Sequence, residues 1–305
     1  MRHLRVRTTA FLPAAALITV VTIAPIASPA VASGLDDTAF AALERHGLLA
    51  SPEDMTEAAL NRDTRAGLPS AAVDSADGLT IPTSEGTMSL VPVGAAQPRE
   101  VDGKLLYTEK THTIAATTTA SGVANAMYAV LTGPESPSSY RYEVSVDDAP
   151  ALLTQVNGAV LVRDPAGEIV NVVNPAWAVD AGGISLPTHY EIEGNEIIQV
   201  VDHRTATYPV VADPAGACDA LSCTIFFNKS ETRTASEGAA AAAGLLCGAM
   251  AFLNGIAGVV CGAYGAALTI VAIQARNQGD CLAFRASRYG LYTPYPFIYD
   301  DARCR

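Results

Sequence analysis

From Gly238 to Ala275 the chain runs for 38 consecutive positions without a charged side chain. A single helix of that length would reach roughly 57 Å, nearly twice the ~30 Å hydrocarbon core of a bilayer. Asn254-Gly255 stands in the middle of the run and is a natural turn. The spacing therefore predicts two antiparallel helical arms of about 17 residues, each roughly 25 Å long. About that turn the sequence is nearly mirror-symmetric. Cys247 lies seven residues before Asn254 and Cys261 seven after it, while Gly244 and Gly248 are matched by Gly258 and Gly262. Glycines four apart let facing backbones approach closely, so these four are expected at the contact between the arms, with a Cys247–Cys261 bridge across it. Closing that loop of about 15 residues contributes about 3 kcal/mol in the chain-entropy picture. Much of the run is Ala and Gly, and three readings stay open: a buried soluble hairpin, membrane insertion, or an oligomer interface.

All six cysteines lie at or beyond residue 218. In an exported chain such a set reads as disulfides rather than metal ligands. Cys281–Cys304 would tie the aromatic tail back, leaving Cys218–Cys223 as a small local loop. That tail interleaves Arg285, Arg288, Arg303 and Arg305 with Tyr289, Tyr292, Tyr295 and Tyr299. Arg and Tyr together suit a protein interface or an anionic membrane surface, or else a solvated tail covering the hairpin.

Export is expected from the first 32 residues. Arg2, Arg5 and Arg7 form a basic start, an uncharged apolar stretch follows, and Ala30-Val31-Ala32 matches a small-residue cleavage site between Ala32 and Ser33. The alternative is an uncleaved anchor, which Pro13, Pro25, Pro29 and the lack of a basic stop-transfer cluster disfavour. The leader carries three Arg and no acid, so the remaining chain has 16 basic and 31 acidic residues, a net of −15. Such charge argues against nucleic acid as a partner, because backbone binding needs Lys and Arg at the phosphates. The charge is uneven: residues 33–214 hold 25 acids and 9 bases, and residues 215–305 hold 6 acids and 7 bases. With the cysteines, this places a boundary near Asp213-Pro214-Ala215-Gly216.

Four segments follow: the leader at 1–32, a short helical segment at 33–76, an acidic β-rich domain at 77–214, and a Cys-rich hydrophobic hairpin domain at 215–305. In the helical segment, Asp36 or Asp37 can cap a helix stopping at Gly47, and Ser51-Pro52-Glu53-Asp54 can start a second ending near Gly67. Beyond it, Tyr140, Tyr142, Val144 and Val146 alternate with Arg141, Glu143, Ser145 and Asp147, a half-buried strand. Asp164-Pro165-Ala166-Gly167 and Gly194-Asn195 are turns between further strands. In the last unit Thr234-Ala235-Ser236-Glu237 has a capping-box pattern, with Asn228 or Ser230 as an earlier start. The expected fold is α+β: N-terminal helices, an antiparallel β-sandwich or partly open barrel, then a disulfide-stapled α-helical hairpin with a short extended tail.

Asn174-Pro175-Ala176-Trp177-Ala178-Val179-Asp180-Ala181, Pro187-Thr188-His189-Tyr190, Gln199-Val200-Val201-Asp202-His203 and Tyr208-Pro209-Val210-Val211-Ala212-Asp213-Pro214 together resemble a stretch of uncharacterised exported actinobacterial proteins. A related ending occurs in strand-rich parts of large secreted repeat and toxin-delivery proteins. The resemblance covers about 40 residues strongly and 78–214 loosely. It implies a β-rich module placed before a variable, Cys-containing C-terminal unit, and carries no catalytic residue with it. In layout only, an acidic front and a stapled hydrophobic end are similar to halocin-type bacteriocin precursors.

No catalytic constellation stands out. The metalloprotease pair of His one helical turn apart is absent, as are the phosphate-loop and dinucleotide glycine patterns. Cys218 and Cys223 are not at redox-dithiol spacing. His189 and His203, with Asp180 or Asp202, are the only group from which a metal-dependent hydrolase could be built; cross-strand polar packing is the plainer reading. No cofactor is implied. The expected function is therefore non-catalytic: an exported effector whose hairpin acts on a membrane surface or protein partner, shielded by the acidic front until cleavage near Pro214. The alternative is a cell-envelope or extracellular binding protein in which the hairpin completes a core.

Overall fold

The computed structural model describes residues 29–49, 71–83, 85–118, 125–218, 222–250, 257–287 and 294–305, with the backbone alone at 29–33, 249–250, 257–262 and 287. Helix α1 spans Pro29–Arg45. Strands follow at Ala72–Asp74 (β1), Gly78–Thr83 (β2), Gly86–Pro92 (β3), Arg99–Val101 (β4), Lys104–Thr108 (β5), His112–Thr117 (β6), Ala126–Leu131 (β7) and Ser139–Val146 (β8). Then come Ala149–Pro150 (β9), Leu152–Val156 (β10), Ala159–Arg163 (β11), Ile169–Val173 (β12), Ala178–Val179 (β13), Thr188–Glu193 (β14), Glu196–Val201 (β15) and Val210–Ala212 (β16). The C-terminal unit is Ser222–Phe226 (β17), Lys229–Ala235 (α2), Ala239–Met250 (α3), Ala257–Gln278 (α4), Cys281–Ser287 (β18) and Tyr295–Tyr299 (β19). Helices and antiparallel sheets make this an α+β protein.

A seven-stranded sheet runs β1-β2-β3-β8-β15-β14 with β9 on β8, and a six-stranded sheet runs β13-β16-β7-β6-β5-β4. Both contribute to one core. Tyr140, Tyr142, Val144 and Val146 of β8 meet Met127, Ala129 and Leu131 of β7 there, and Val160 and Val162 of the smaller β10-β11-β12 sheet join them. The alternation in β8 thus has its usual cause, one face in the core and one toward water. Strand β7 is buried at all six positions because its other face is covered too. Tyr128 and Val130 pack under Ala39, Ala42 and Leu43 of α1 and beside Trp177 and Val211.

Helix α1 begins at Pro29, ahead of the expected Asp36 or Asp37 cap. Asp36 is buried instead: Thr108 Oγ1 donates to its carboxylate at 2.6 Å and Arg99 pairs with it. The helix does stop at Gly47, whose φ of +65° suits a residue without Cβ. The second helix expected at 51–67 lies outside the described residues, as do the body of the leader and the turn at Asn254-Gly255.

The resembling motifs form two sheet neighbourhoods, the His189 and Gln199 segments pairing as β14 and β15 of the seven-stranded sheet and the other two in the six-stranded sheet. Ala178 pairs with Ala212 and Val179 with Val211, so the Trp177-containing segment and the Val210–Ala212 segment are neighbours, with β16 continuing onto β7. Beyond it, Met127 N donates to Pro214 O and Ala126 bridges Ala215.

The C-terminal unit has its own core. Its sheet runs β17-β18-β19, and Leu282 and Phe284 of β18 pack against Ala242 and Leu246 of α3 and Leu268 and Ala272 of α4. Helix α2 starts at the earlier of the expected positions. Asn228 caps it, accepting from Glu231 N while Glu231 Oε2 accepts from Asn228 N. Thr234, the other candidate cap, sits inside the last turn and donates to Ser230 O.

Candidate functional site

The features that could act on another molecule gather on this last unit. The buried face of α4 is a stripe of Gly265, Leu268, Ala272 and Ala275, at the three- and four-residue spacing of a packed helix. The helix packs tightly against α3 at Gly265, where a Cβ would sit 2.4 Å from the Ala239 carbonyl oxygen. Gly244 and Gly248 do not serve as expected: both are exposed, and a Cβ on either would meet no described atom within 4 Å. The mirror symmetry misplaced Gly244 and Gly248 because helical phase, rather than distance from the turn, decides which face is buried. The surroundings of Gly258 and Gly262 and the side chain of Cys261, and hence the Cys247–Cys261 bridge, lie outside the described residues.

The outer stripe of α4 is Ala263, Ala266, Ile270 and Ile273. Ile270 is 61% and Ile273 43% exposed. A solvent-facing helix surface normally carries charge; this one carries none until Arg276. At the base of the helices, exposed Lys229, Arg233 and Arg276 surround one small depression, with Asp280 beside them. No helix among the described residues is long and apolar enough to cross a membrane.

A second feature is a cleft of about 300 Å³ between α3 and the β10-β11-β12 sheet. Val156, Val172, Ile225 and Leu245 form apolar walls, Gly244 and Gly248 the α3 side, and Asn157, Asn174 and Glu231 supply polar groups. Burial pushes the Glu231 carboxyl up, against the opposing pull of the Asn228 N–H and Arg305.

The unit is bound to the acidic region along a buried seam. Ala217 N donates to Val172 O, and the buried Asn171 carboxamide both accepts from Cys218 N and donates to Cys218 O. Disulfides join Cys218 to Cys223 and Cys281 to Cys304. The second ties down the end of the tail, where Arg303 and Tyr299 turn inward. Arg303 pairs with Asp301 and lies 3.8 Å from the Phe226 ring centroid, and Ala302 N donates to His46 O beside Gly47. Arg285 is 1% exposed, while Arg288, Tyr289 and Tyr292 lie outside the described residues.

Asp213 closes the seam. It is fully buried, its Oδ1 accepting from Trp177 N at 2.9 Å and Gln199 Nε2 at 3.0 Å. Burial pushes its carboxyl up to about 7, in spite of the Trp177 N–H and of Arg305. Asp213, Pro214 and Ala215 are all buried, so the charge boundary is not a linker, and the expected cut near Pro214 would fall inside sheet. A compositional shift marks a change of environment, and here the chain crosses it in extended, paired backbone.

His189 and His203 do not form a site. His189 is exposed beside Glu191, whereas His203 is buried with Nδ1 2.8 Å from the Tyr208 hydroxyl and Nε2 3.2 Å from Pro137 O. Asp180 is taken up by the backbone N–H groups of Gly182, Ile184 and Thr207; burial pushes its carboxyl up, but together those donors hold it below the ordinary value. No group of three metal-ligating side chains occurs among the described residues.

Sequence reading missed Gly265, Asn174 and the seam formed by Asp213 and Arg305. Gly265 was findable, since it shares the helical phase of Leu268, Ala272 and Ala275. Nothing local marks Asp213 as buried. Searches against protein-family models, curated proteins and solved structures gave no match for this chain.

Proposed function

We propose that this is an exported, non-catalytic effector that works as an uncut chain and contacts a lipid surface through the outer face of its C-terminal helical hairpin. The observation that carries the reading is the apolar stripe ending in exposed Ile270 and Ile273, with cationic Lys229, Arg233 and Arg276 at its base. Apolar side chains beside cations suit the boundary between acyl chains and anionic headgroups. Contact is interfacial, because the other face of the hairpin is packed on its own sheet and only one stripe is left to meet lipid. Two disulfides suit an oxidising compartment outside the cell. The acidic β-rich region acts as carrier, two sheets over one core, rather than as a shield, since α3 and α4 bury their inner faces against their own sheet.

The test is flotation of the full oxidised chain with phosphatidylglycerol and phosphatidylcholine vesicles. Binding to the anionic vesicles is expected, reduced at least tenfold by the double variant Ile270→Asp, Ile273→Asp. Absence of binding to either lipid sinks the reading. So does a stable dimer of the free protein that the same double variant dissociates, since the stripe would then be an interface between copies.

A second reading, an extracellular binding protein whose hairpin completes a core, draws on the buried seam at Asp213. Under that reading the same variants leave vesicle behaviour unchanged.

A further inference from the structure

The cleft beside α3 contains a feature that the packing does not use. Around it, α3 is built from Ala239–Ala243, Leu245 and Leu246, all strong helix formers. Gly244 and Gly248 interrupt this, and glycine is a far weaker helix former than Ala. Glycine in a helix is usually explained by a neighbour that leaves no room, as Ala239 does for Gly265. At 244 and 248 no described atom would touch a Cβ, and both face the cleft. What the two glycines provide is a strip of bare helix backbone along one wall of an apolar hollow.

The polar groups narrow the ligand. The half-buried Asn174 and the exposed Asn157 both line the cleft, and among the described residues neither carboxamide forms a hydrogen bond. Each offers donors and an acceptor to an uncharged polar head. Glu231, half-buried on the same cleft, has one oxygen committed to Asn228 N. Its carboxylate repels an anionic head, since like charges in a partly buried site are poorly screened. A volume of about 300 Å³ is at the small end of ligand pockets.

We infer that this cleft binds a small aliphatic molecule with an uncharged hydrogen-bonding head, its chain lying on the Gly244–Gly248 strip and its head on Asn174 and Asn157. The site is independent of any lipid contact by α4, because it lies on α3 and opens between the two parts of the protein.

The experiment uses the full oxidised chain with octanamide and sodium octanoate as probes at pH 8, read by calorimetric titration and ligand-observed NMR. Octanamide binds saturably, and octanoate, of the same length but anionic, binds at least tenfold more weakly. Gly248→Leu, which fills the strip, loses octanamide binding at least tenfold while its thermal midpoint is not lowered. Asn174→Leu, which keeps the wall and removes the head contact, weakens octanamide binding several-fold and narrows its preference over octanoate. No saturable octanamide binding overturns the site, and equal affinity for octanoate overturns its charge selectivity. Unchanged binding in both variants places the ligand elsewhere and overturns the assignment. Should Gly248→Leu fail to fold, Asn174→Leu decides.

Discussion

Arg305, the last residue, places its guanidinium 5.7 Å from the ring centroid of Trp177 and donates to the Ala176 carbonyl at 3.2 Å. A residue of the small C-terminal unit thereby covers the single tryptophan of the acidic β-rich region, while Lys229 N donates to the Arg305 carbonyl from the start of α2. The two parts meet through the end of the chain as well as through its continuity at Asp213.

Replacing Arg305 by Ala removes the cation over the ring, its hydrogen bonds to the Ala176 and Arg303 carbonyls, and the positive charge that acts on Asp213 and Glu231. The unfolding free energy falls by about 1–2 kcal/mol. Urea denaturation followed by Trp177 fluorescence measures it. An unchanged midpoint would mean that the tail contributes nothing to the seam.

Asp213 makes stability depend on pH. Unfolded, this carboxyl loses its proton near 3.8; folded, it keeps it to about 7. The folded form binds the proton more tightly, so the contribution is full below about pH 4 and is lost as pH rises through 7. Asp213→Asn keeps the acceptor for Trp177 N and Gln199 and removes the titration. The variant is expected to gain thermal midpoint relative to the parent between pH 5 and 8. Parallel curves for the two proteins over that range would refute the assignment.

Glycines of one helical pair have opposite sensitivities. Gly265→Ala drives a Cβ into the Ala239 carbonyl and costs about 1–3 kcal/mol. Gly244→Ala meets open space and stabilises by up to about 1 kcal/mol. Thermal midpoints of the two single variants, moving in opposite directions, check this.

Removing the Cys281–Cys304 bridge with a double Ser variant releases a tail closed over a sequence separation of 23. About 3 kcal/mol of stability is lost in the chain-entropy picture. Protease sensitivity of residues 294–305 should increase first, before the β-rich core opens, because Arg303 and Arg305 depend on the tail's position. Loss of the whole fold in one step would show that tail and core are one cooperative unit.

What could be read locally depended on a physical cause acting locally. Strand β8 was visible because a sheet with one wet face alternates every second residue. Asn228 was visible as a cap because its partner Glu231 is three positions away. The uncharged run from Gly238 to Ala275 required helices that bury something, whatever their surroundings.

Which side of those helices is buried was a different matter. Gly244 and Gly265 are chemically identical in the sequence. Only the phase at which α4 meets Ala239 places one in open space and the other under a carbonyl. Asp213 likewise looks like a surface acid in a proline-containing linker. It became a buried group with a carboxyl near 7 only when Trp177, Gln199 and Arg305, distant along the chain, closed over it. The sequence by itself determined the elements and their apolar faces, through the periods of helix and strand. The tertiary structure decided which faces meet and which charges lose their water, because packing and desolvation depend on neighbours brought from afar.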